Sequence, residues 1–396
     1  MAARLDIAAP GTDSDELRAE VAEWIARNLV EGLGAEQTGA HPPYAHELGG
    51  AGVEWLNRLR DGRWLCLSWP DCYGGRALSA SGCIAVNEEF ARAGVPRFTL
   101  GMGESLVAPA LLAHGTELQR ARLLPRILDG TDRYCQGFSE PDSGSDLAHL
   151  RTVGVIDGDE VSITGTKVWT SDAQRANTMF ALCRTDPAAS DHRGISYVIV
   201  PMTDNRVTVT PIRQMSGTWG FNQVHLDGSR ASLDNVIGGL HGGWRVAMTT
   251  LGAERAGMAT VQYLGYEREW HALVDELHLS GRVEGTIRQA LIRSYSEIAI
   301  MRFSGLRIGA EATTPEATQA LLAIDKLFWS EFHRRFGELA INVNGLEALT
   351  RPEGAGYRLT WYQRVFLESR ARTIARGSSE IQRNLIAERV LGLPRS

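Results

Sequence analysis

The spacing of hydrophobic residues changes character twice along this 396-residue chain. In the first third, Leu17, Val21, Trp24 and Ile25 recur at helical spacing, and "LLAHGTELQRARLLPRILDG" reads as two short helices broken near Gly115 and Gly130. From about Tyr134 the pattern becomes strand-like. "RTVGVIDGDEVSITGTKVWTS" places Asp157-Gly158 between two β-rich runs, a hairpin signal, and "GISYVIVPM" and "NRVTVTPIR" are rich in Val, Ile and Thr. From about Gly243 long helical runs return, and a last helix begins near Ser379 and stops at Gly392, with Pro394 beyond it. The order predicts an α+β protein with an N-terminal helical domain (1–133), a middle β domain (134–240) and a C-terminal helical bundle (241–396).

One helical face carries a chemical anomaly. Trp244, Ala247, Leu251, Glu254, Met258 and Val261 follow one another at steps of three and four, so one carboxylate sits in an apolar stripe. Such a group is costly unless it is paired or used. Pairing with an arginine from a neighbouring helix is the plainer explanation. The alternative is a base, because desolvation makes a carboxylate more basic, as proton removal from a carbon acid requires. The neighbours Gly252, Ala253, Ala256, Gly257 and Ala259 are small and leave room for a ligand.

Composition narrows the function classes. A formal net charge of −6 argues against a polyanionic partner such as nucleic acid. No apolar run is long enough to span a bilayer, and the first residues lack the apolar core of a signal peptide, so a cytoplasmic location is expected. Five scattered cysteines without a Cys-x-x-Cys pair predict neither a disulfide framework nor a zinc site. No Gly-x-Gly-x-x-Gly follows a strand, so any nucleotide cofactor is held by some other device.

Several stretches in order then resemble the acyl-CoA dehydrogenases. "YCQGFSEPDSGSDLAHLRT" followed by "ITGTKVWTSDAQRAN" is similar to that family's flavin-binding signature. "LDNVIGGLHGGW" approximates its Glu-Asn-Val-Ile-Gly loop, and "RGSSEIQRNLIAERVLGLP" matches its last helix. The resemblance implies a middle β-barrel domain between two helical domains, with FAD as cofactor. It implies an acyl-CoA substrate and an electron-transfer flavoprotein as electron acceptor. In this family a carboxylate removes the α-proton of the thioester while the β-hydride moves to flavin N5. The thioester oxygen is held by a flavin ribityl hydroxyl and a backbone N–H.

Site residues follow by resemblance, position by position. In the commonest form of the last motif, the residue before the glycine is the base; here it is Arg376, which cannot be one. The isovaleryl-CoA and long-chain members instead take the base from a bundle helix, directly before an arginine, and Glu254-Arg255 stands at that place. Glu254 is therefore the expected base, Arg376 the residue whose backbone N–H meets the thioester, and Arg255 a substrate-side contact. Ser139, Trp169 and Ser171 match positions at the flavin ring, Ser378 and Glu380 positions at the adenosine half of FAD, and Ser145 a CoA contact. Each has a plainer alternative: core packing for Trp169, turn chemistry for Ser139 and Ser171, a surface salt bridge for Arg255, helix capping for Ser378 and Glu380. The Arg376 side chain has three placements open, namely against Glu254, against an acidic or polar group on the acyl chain, or away from the cavity, and the last is favoured.

The family's Arg-x-x-Phe-Gly segment, which reaches the FAD of a neighbouring subunit, is missing. Its region reads "ELHLSGRVEGTIRQALIRSY", with Arg282 and Arg288 as substitutes. Relatives with a variant segment include homo-oligomers (dimers or tetramers) and heterotetramers in which one subunit type completes the flavin site. The competing readings are a half-site or noncatalytic subunit, which would purify colourless alone, and a flavin monooxygenase of the same fold, against which Glu254 counts.

Overall fold

The structure is a computed structural model and describes residues 12–33, 48–279, 281, 283, 285–310, 314–350 and 358–394. Five helices come first: α1 (Thr12–Asn28), α2 (Gly50–Asp61), α3 (Ala80–Ala93), α4 (Ala108–His114) and α5 (Glu117–Leu128). Local chemistry sets their ends. Ser79 caps the start of α3 and Gly94, in left-handed conformation, ends it, while Thr116 and Gln119 form a reciprocal capping box at the start of α5. Val21 and Ile25 are buried with Trp55, Trp64, Trp69 and Phe90 in one core.

Eight strands follow: β1 (Tyr134–Gly137), β2 (Val153–Asp157), β3 (Glu160–Ser171), β4 (Thr178–Arg184), β5 (Ile195–Pro201), β6 (Val207–Ile212), β7 (Phe221–Ser232) and β8 (Val236–Ile237). They form one sheet in the order β6-β7-β3-β2-β4-β5-β8, with β1 parallel to β4. The Asp157-Gly158 hairpin is present, with Asp157 opposite Glu160 in the β2–β3 ladder. The sheet curls so that Val161 and Ile163 (β3), Met179 and Ala181 (β4), Val198 and Val200 (β5), and Val224 and Leu226 (β7) enclose a common core.

Long helices complete the chain: α6 (Gly243–Leu279), α7 (Gly285–Ile308), α8 (Pro315–Asn344), α9 (Trp361–Arg372) and α10 (Ser379–Leu385). Gly243 lets α6 start against β5, since a Cβ there would collide with the backbone of Ser196 and Tyr197. A second tie joins the bundle to the first helices. Glu88 of α3 accepts from Arg18 (2.5 Å), Tyr263 of α6 (2.6 Å) and Arg302 of α7 (2.5 Å). Burial alone would raise the Glu88 pKa, but the bonds from Arg302, Tyr263 and Arg18 outweigh it and hold the carboxyl below its usual range.

Two buried charges in this frame generate predictions. Lys167 of β3 is fully buried and donates to Glu140 Oε1 (2.8 Å) and to the Phe138 carbonyl (3.2 Å). Lys167→Met leaves Glu140 a buried unpaired carboxylate and should cost about 3–5 kcal/mol in denaturant unfolding. Lys167→Met with Glu140→Gln should cost less, because no buried charge is left without its counter-charge and the Gln oxygen still accepts from one of the Arg151 and Thr152 N–H groups that Glu140 now satisfies. On α8, burial with no charged partner raises the Asp325 carboxyl from 3.8 to about 7. Between those values the folded state binds more protons than the unfolded one, so Asp325 weakens the fold as pH rises through that window. Asp325→Asn should therefore raise the melting temperature near pH 8 and change it little near pH 4, roughly the unfolded value.

Candidate functional site

Three local devices present the candidate residues. The first is the wall of α6. Along the predicted stripe only Ala247 is buried; Trp244, Leu251, Glu254, Met258 and Val261 are half-buried. The core-facing side of the helix is the one that carries Val246, Thr250, Ala259, Tyr263 and Tyr266. An apolar row that stays partly open offers a surface to an apolar ligand, and Glu254 is its one carboxylate.

The second device is the turn between α9 and α10. Arg376 and Gly377 both adopt left-handed backbone (φ 61° and 90°), and Ser379 N–H closes the turn onto the Thr373 carbonyl at 2.9 Å. Two residues of this kind in succession aim backbone N–H groups into a concavity. The Arg376 N–H is taken by no described residue. The Arg376 side chain does not point away from the cavity, as favoured from sequence: its Nε donates to Glu254 Oε1. The carboxylate is 13% exposed and the guanidinium 27%, so the pair lies at the cavity surface and not in the core. Glu254 does pair with an arginine, as the plainer sequence reading held, but that arginine comes from this turn and not from a helix. Only one carboxylate oxygen is used; Oε2 takes no hydrogen bond among the described residues.

The third device is a bulge in β3. Its register against β7 shifts between Lys167 and Thr170, and Trp169 has φ 59°. In a regular strand Trp169 would share the face of buried Lys167; the bulge turns it outward. Trp169 is 58% exposed, which overturns core packing as its role, and stands edge-on to Phe221 at 6.1 Å. Ser171 lies opposite Phe221, and the Ser139 carbonyl accepts from Val168 N–H (2.9 Å), so both serines flank the indole. Neither hydroxyl, nor that of Ser145, bonds to a described residue. An exposed flat aromatic surface edged by unspent hydroxyls fits the ring system of a flavin, apolar over its dimethylbenzene end and polar at its pyrimidine end.

The remaining expected residues fall as follows. Arg255 is half-buried; burial lowers its guanidinium from the usual value, partly opposed by Glu254, and it forms no ion pair among the described residues, so the surface salt bridge is not found. Ser378 caps α10 by accepting from Ile381 N–H (3.3 Å). Glu380 is exposed in the first turn of α10, its carboxyl held below the usual range by the free N–H of that turn and by Ser378. Ser145 lies exposed in the loop after β1. Arg288 is exposed on the first turns of α7, and Arg282 lies outside the described residues.

Sequence reading passed over Lys326. It is 1% exposed on α8, and its Nζ has no hydrogen-bond partner. The signal was available: Leu322, Lys326, Trp329, His333 and Phe336 are spaced four, three, four and three, the same pattern of one charge in an apolar stripe that singled out Glu254.

Comparison with known proteins agrees with this geometry. Three family descriptions match in order: acyl-CoA dehydrogenase N-terminal domain at residues 12–131, middle domain at 135–230 and C-terminal domain at 241–391. The acyl-CoA dehydrogenase IpdE1 of Mycobacterium tuberculosis is 41% identical over 384 residues, 97% of this chain and 98% of its own. Among solved structures, the Tcur3481-Tcur3483 steroid ACAD superposes with a TM-score of 0.80 at 30% identity, over 99% of this chain and 100% of its own. The ChsE4-ChsE5 complex of Mycobacterium tuberculosis gives 0.76 at 27% identity, with full coverage of both chains. Among the described residues no helix is long and apolar enough to cross a membrane. The chain belongs to the acyl-CoA dehydrogenase family of FAD-dependent oxidoreductases.

Proposed function

We propose that this protein dehydrogenates an acyl-CoA thioester between Cα and Cβ to the trans-2-enoyl-CoA, with Glu254 as the base. The observation that carries this reading is the pairing of a half-buried carboxylate on an apolar cleft wall with a free backbone N–H on the facing turn. FAD, bound between the middle domain (134–240) and the C-terminal bundle (241–396), supplies the hydride acceptor. Trp169, Ser139 and Ser171 would hold its ring, and Ser378 and Glu380 would address its adenosine half.

The chain's own groups do the rest. The Arg376 N–H donates to the thioester oxygen in a small oxyanion hole, which acidifies Cα. Glu254, steadied through Oε1 by Arg376, receives the α-proton on Oε2. Ser145 and Arg255 contact the CoA portion. The small residues around Glu254 favour a bulky acyl group, and the named likeness to a steroid ACAD supports a ring-bearing, steroid-derived thioester. Electrons then leave to an electron-transfer flavoprotein. The protein is a cytoplasmic oligomer.

A second reading rests on the two-component relatives, Tcur3481-Tcur3483 and ChsE4-ChsE5, together with the missing Arg-x-x-Phe-Gly segment. In it this chain supplies the base while a different subunit completes the FAD site. Protein that is colourless alone and yellow when co-expressed with a second family member selects this reading; yellow homo-oligomer selects the first.

The deciding experiment is anaerobic titration of the flavin-loaded protein with short, branched, long-chain and steroid-derived acyl-CoAs, following loss of flavin absorbance. One class should bleach the flavin, and a loaded protein that no thioester bleaches refutes the dehydrogenase reading. Glu254→Gln should slow bleaching by about 10²–10⁴-fold at unchanged flavin content, the usual worth of a general base. Full-speed bleaching by that variant would remove Glu254 from the chemistry. Arg376→Gly keeps the backbone N–H and suits the left-handed φ. It should slow bleaching by about tenfold or less, since it removes an orienting contact and leaves the oxyanion donor; a loss as large as that of Glu254→Gln would make the side chain itself essential.

A further inference from the structure

Lys326 is costly where it stands. It is 1% exposed, its ammonium has three donors and no acceptor among the described residues, and its nearest aromatic is the Trp329 ring at 5.7 Å. An apolar side chain would pack in its place at lower cost. The charges that act on it come from a single region. Arg376 lies on the turn before α10, Glu380 on the first turn of α10, and Glu331 on α8 itself. Glu331 also grips that region directly, accepting from Ser379 Oγ (2.7 Å) and facing Arg383 at 3.6 Å. Tyr266 of α6 faces the same turn through Arg372 and Arg376. The turn needs support. Arg376, a non-glycine residue, is held at φ 61°, and its carbonyl has only a long bond from Gln382 Nε2 at 3.4 Å.

We propose that Lys326 is a positioning residue for the Arg376 turn. Its positive charge beneath the turn keeps the Arg376 N–H directed at the thioester oxygen and keeps the Arg376 guanidinium against Glu254. The inference rests on the proposed dehydrogenase reading and deepens it. Like-charge repulsion from Lys326 and attraction from Glu254 act on the same guanidinium and together leave it one favourable place. The ammonium also adds positive potential at the site where negative charge develops on the thioester oxygen.

Burial first, and Arg376 second, lower the Lys326 pKa to about 8. The charge is therefore present below that pH and lost above it, a window in which an ordinary lysine does not titrate. The test is the single-turnover rate of flavin bleaching by the best acyl-CoA, measured on flavin-loaded wild type, Lys326→Arg and Lys326→Met from about pH 6.5 to about pH 9.5. The wild-type rate should fall by about tenfold through about pH 8. Lys326→Arg, which stays charged, should keep the high rate and lose the alkaline limb. Lys326→Met should show the low rate at every pH, with flavin content and melting temperature near pH 7 equal to or above wild type, and with weaker binding of the enoyl-CoA product by calorimetry.

A wild-type profile with no alkaline limb overturns the proposal, as does a limb that survives in Lys326→Arg. So does a Lys326→Met enzyme with the wild-type rate. If Lys326→Met does not fold, the wild-type and Lys326→Arg profiles still decide. Glu254→Gln run in parallel separates the two claims. A slow Glu254→Gln beside a normal Lys326→Met sinks only the role of Lys326, whereas a fast Glu254→Gln sinks the base assignment beneath it.

Discussion

The buried pair between Lys167 and Glu140 is the constraint on which the cofactor-facing part of the fold depends. Glu140 accepts from Lys167 and from the N–H groups of Arg151 and Thr152, so one carboxylate organises a loop that would otherwise have no regular structure. That loop begins with Ser139, whose carbonyl is bonded to Val168 on the same strand as Lys167. Desolvation lowers the lysine's pKa, and Glu140 opposes that fall through its charge and its hydrogen bond. The consequence is local and mechanical. Because Lys167 must point inward, and a bulge follows it at once, the side chain two residues on is turned outward, and Trp169 becomes a surface.

A second set of charges fixes the helix that carries Glu254. Glu88 ties α1, α3, α6 and α7 together through Arg18, Tyr263 and Arg302. The long helix α6 is therefore anchored at its start by close backbone contact with β5 and further along by Tyr263, and Glu254 lies between these two anchors. In the proposed mechanism the base is carried on a doubly anchored helix, which holds it more rigidly than a turn would. The turn then supplies only the backbone donor and an orienting cation. With the proposed base on α6, position 376 is free for a side chain of opposite charge.

The order of helices, strands and helices was legible because each element follows its own period: the alternation in β3, the Asp157-Gly158 turn, and the capping residues Thr116 and Ser378. Glu254 was legible because periodicity makes one polar residue on an apolar face conspicuous. The Arg376–Glu254 contact was not, since it joins residues far apart in sequence through a turn whose left-handed backbone no side-chain pattern announces in an arginine. Trp169 misleads in the opposite sense: a tryptophan on a strand reads as core, and only the bulge, set by the ladder to β7, exposes it. Lys326 is legible on the same ground as Glu254, because its stripe on α8 is as regular.

The charge balance around the cleft bears on what it is built to stabilise. Glu254 is ion-paired to Arg376 and followed by Arg255, and Lys326 acts on Arg376 in turn; Arg255 and Lys326 make no hydrogen bond or ion pair among the described residues. Uncompensated positive charge at a half-buried site is unfavourable in the resting protein. It becomes favourable when negative charge appears, and in the proposed reaction removal of an α-proton creates such charge on the thioester oxygen next to the Arg376 N–H. A substrate with a second anionic group would also meet this excess, but it would have to take Arg376 from Glu254 and leave the carboxylate without its orienting contact. Stabilising charge that develops during the reaction asks for no such exchange. The arrangement therefore fits a neutral acyl chain whose charge arises in the transition state better than one that arrives charged.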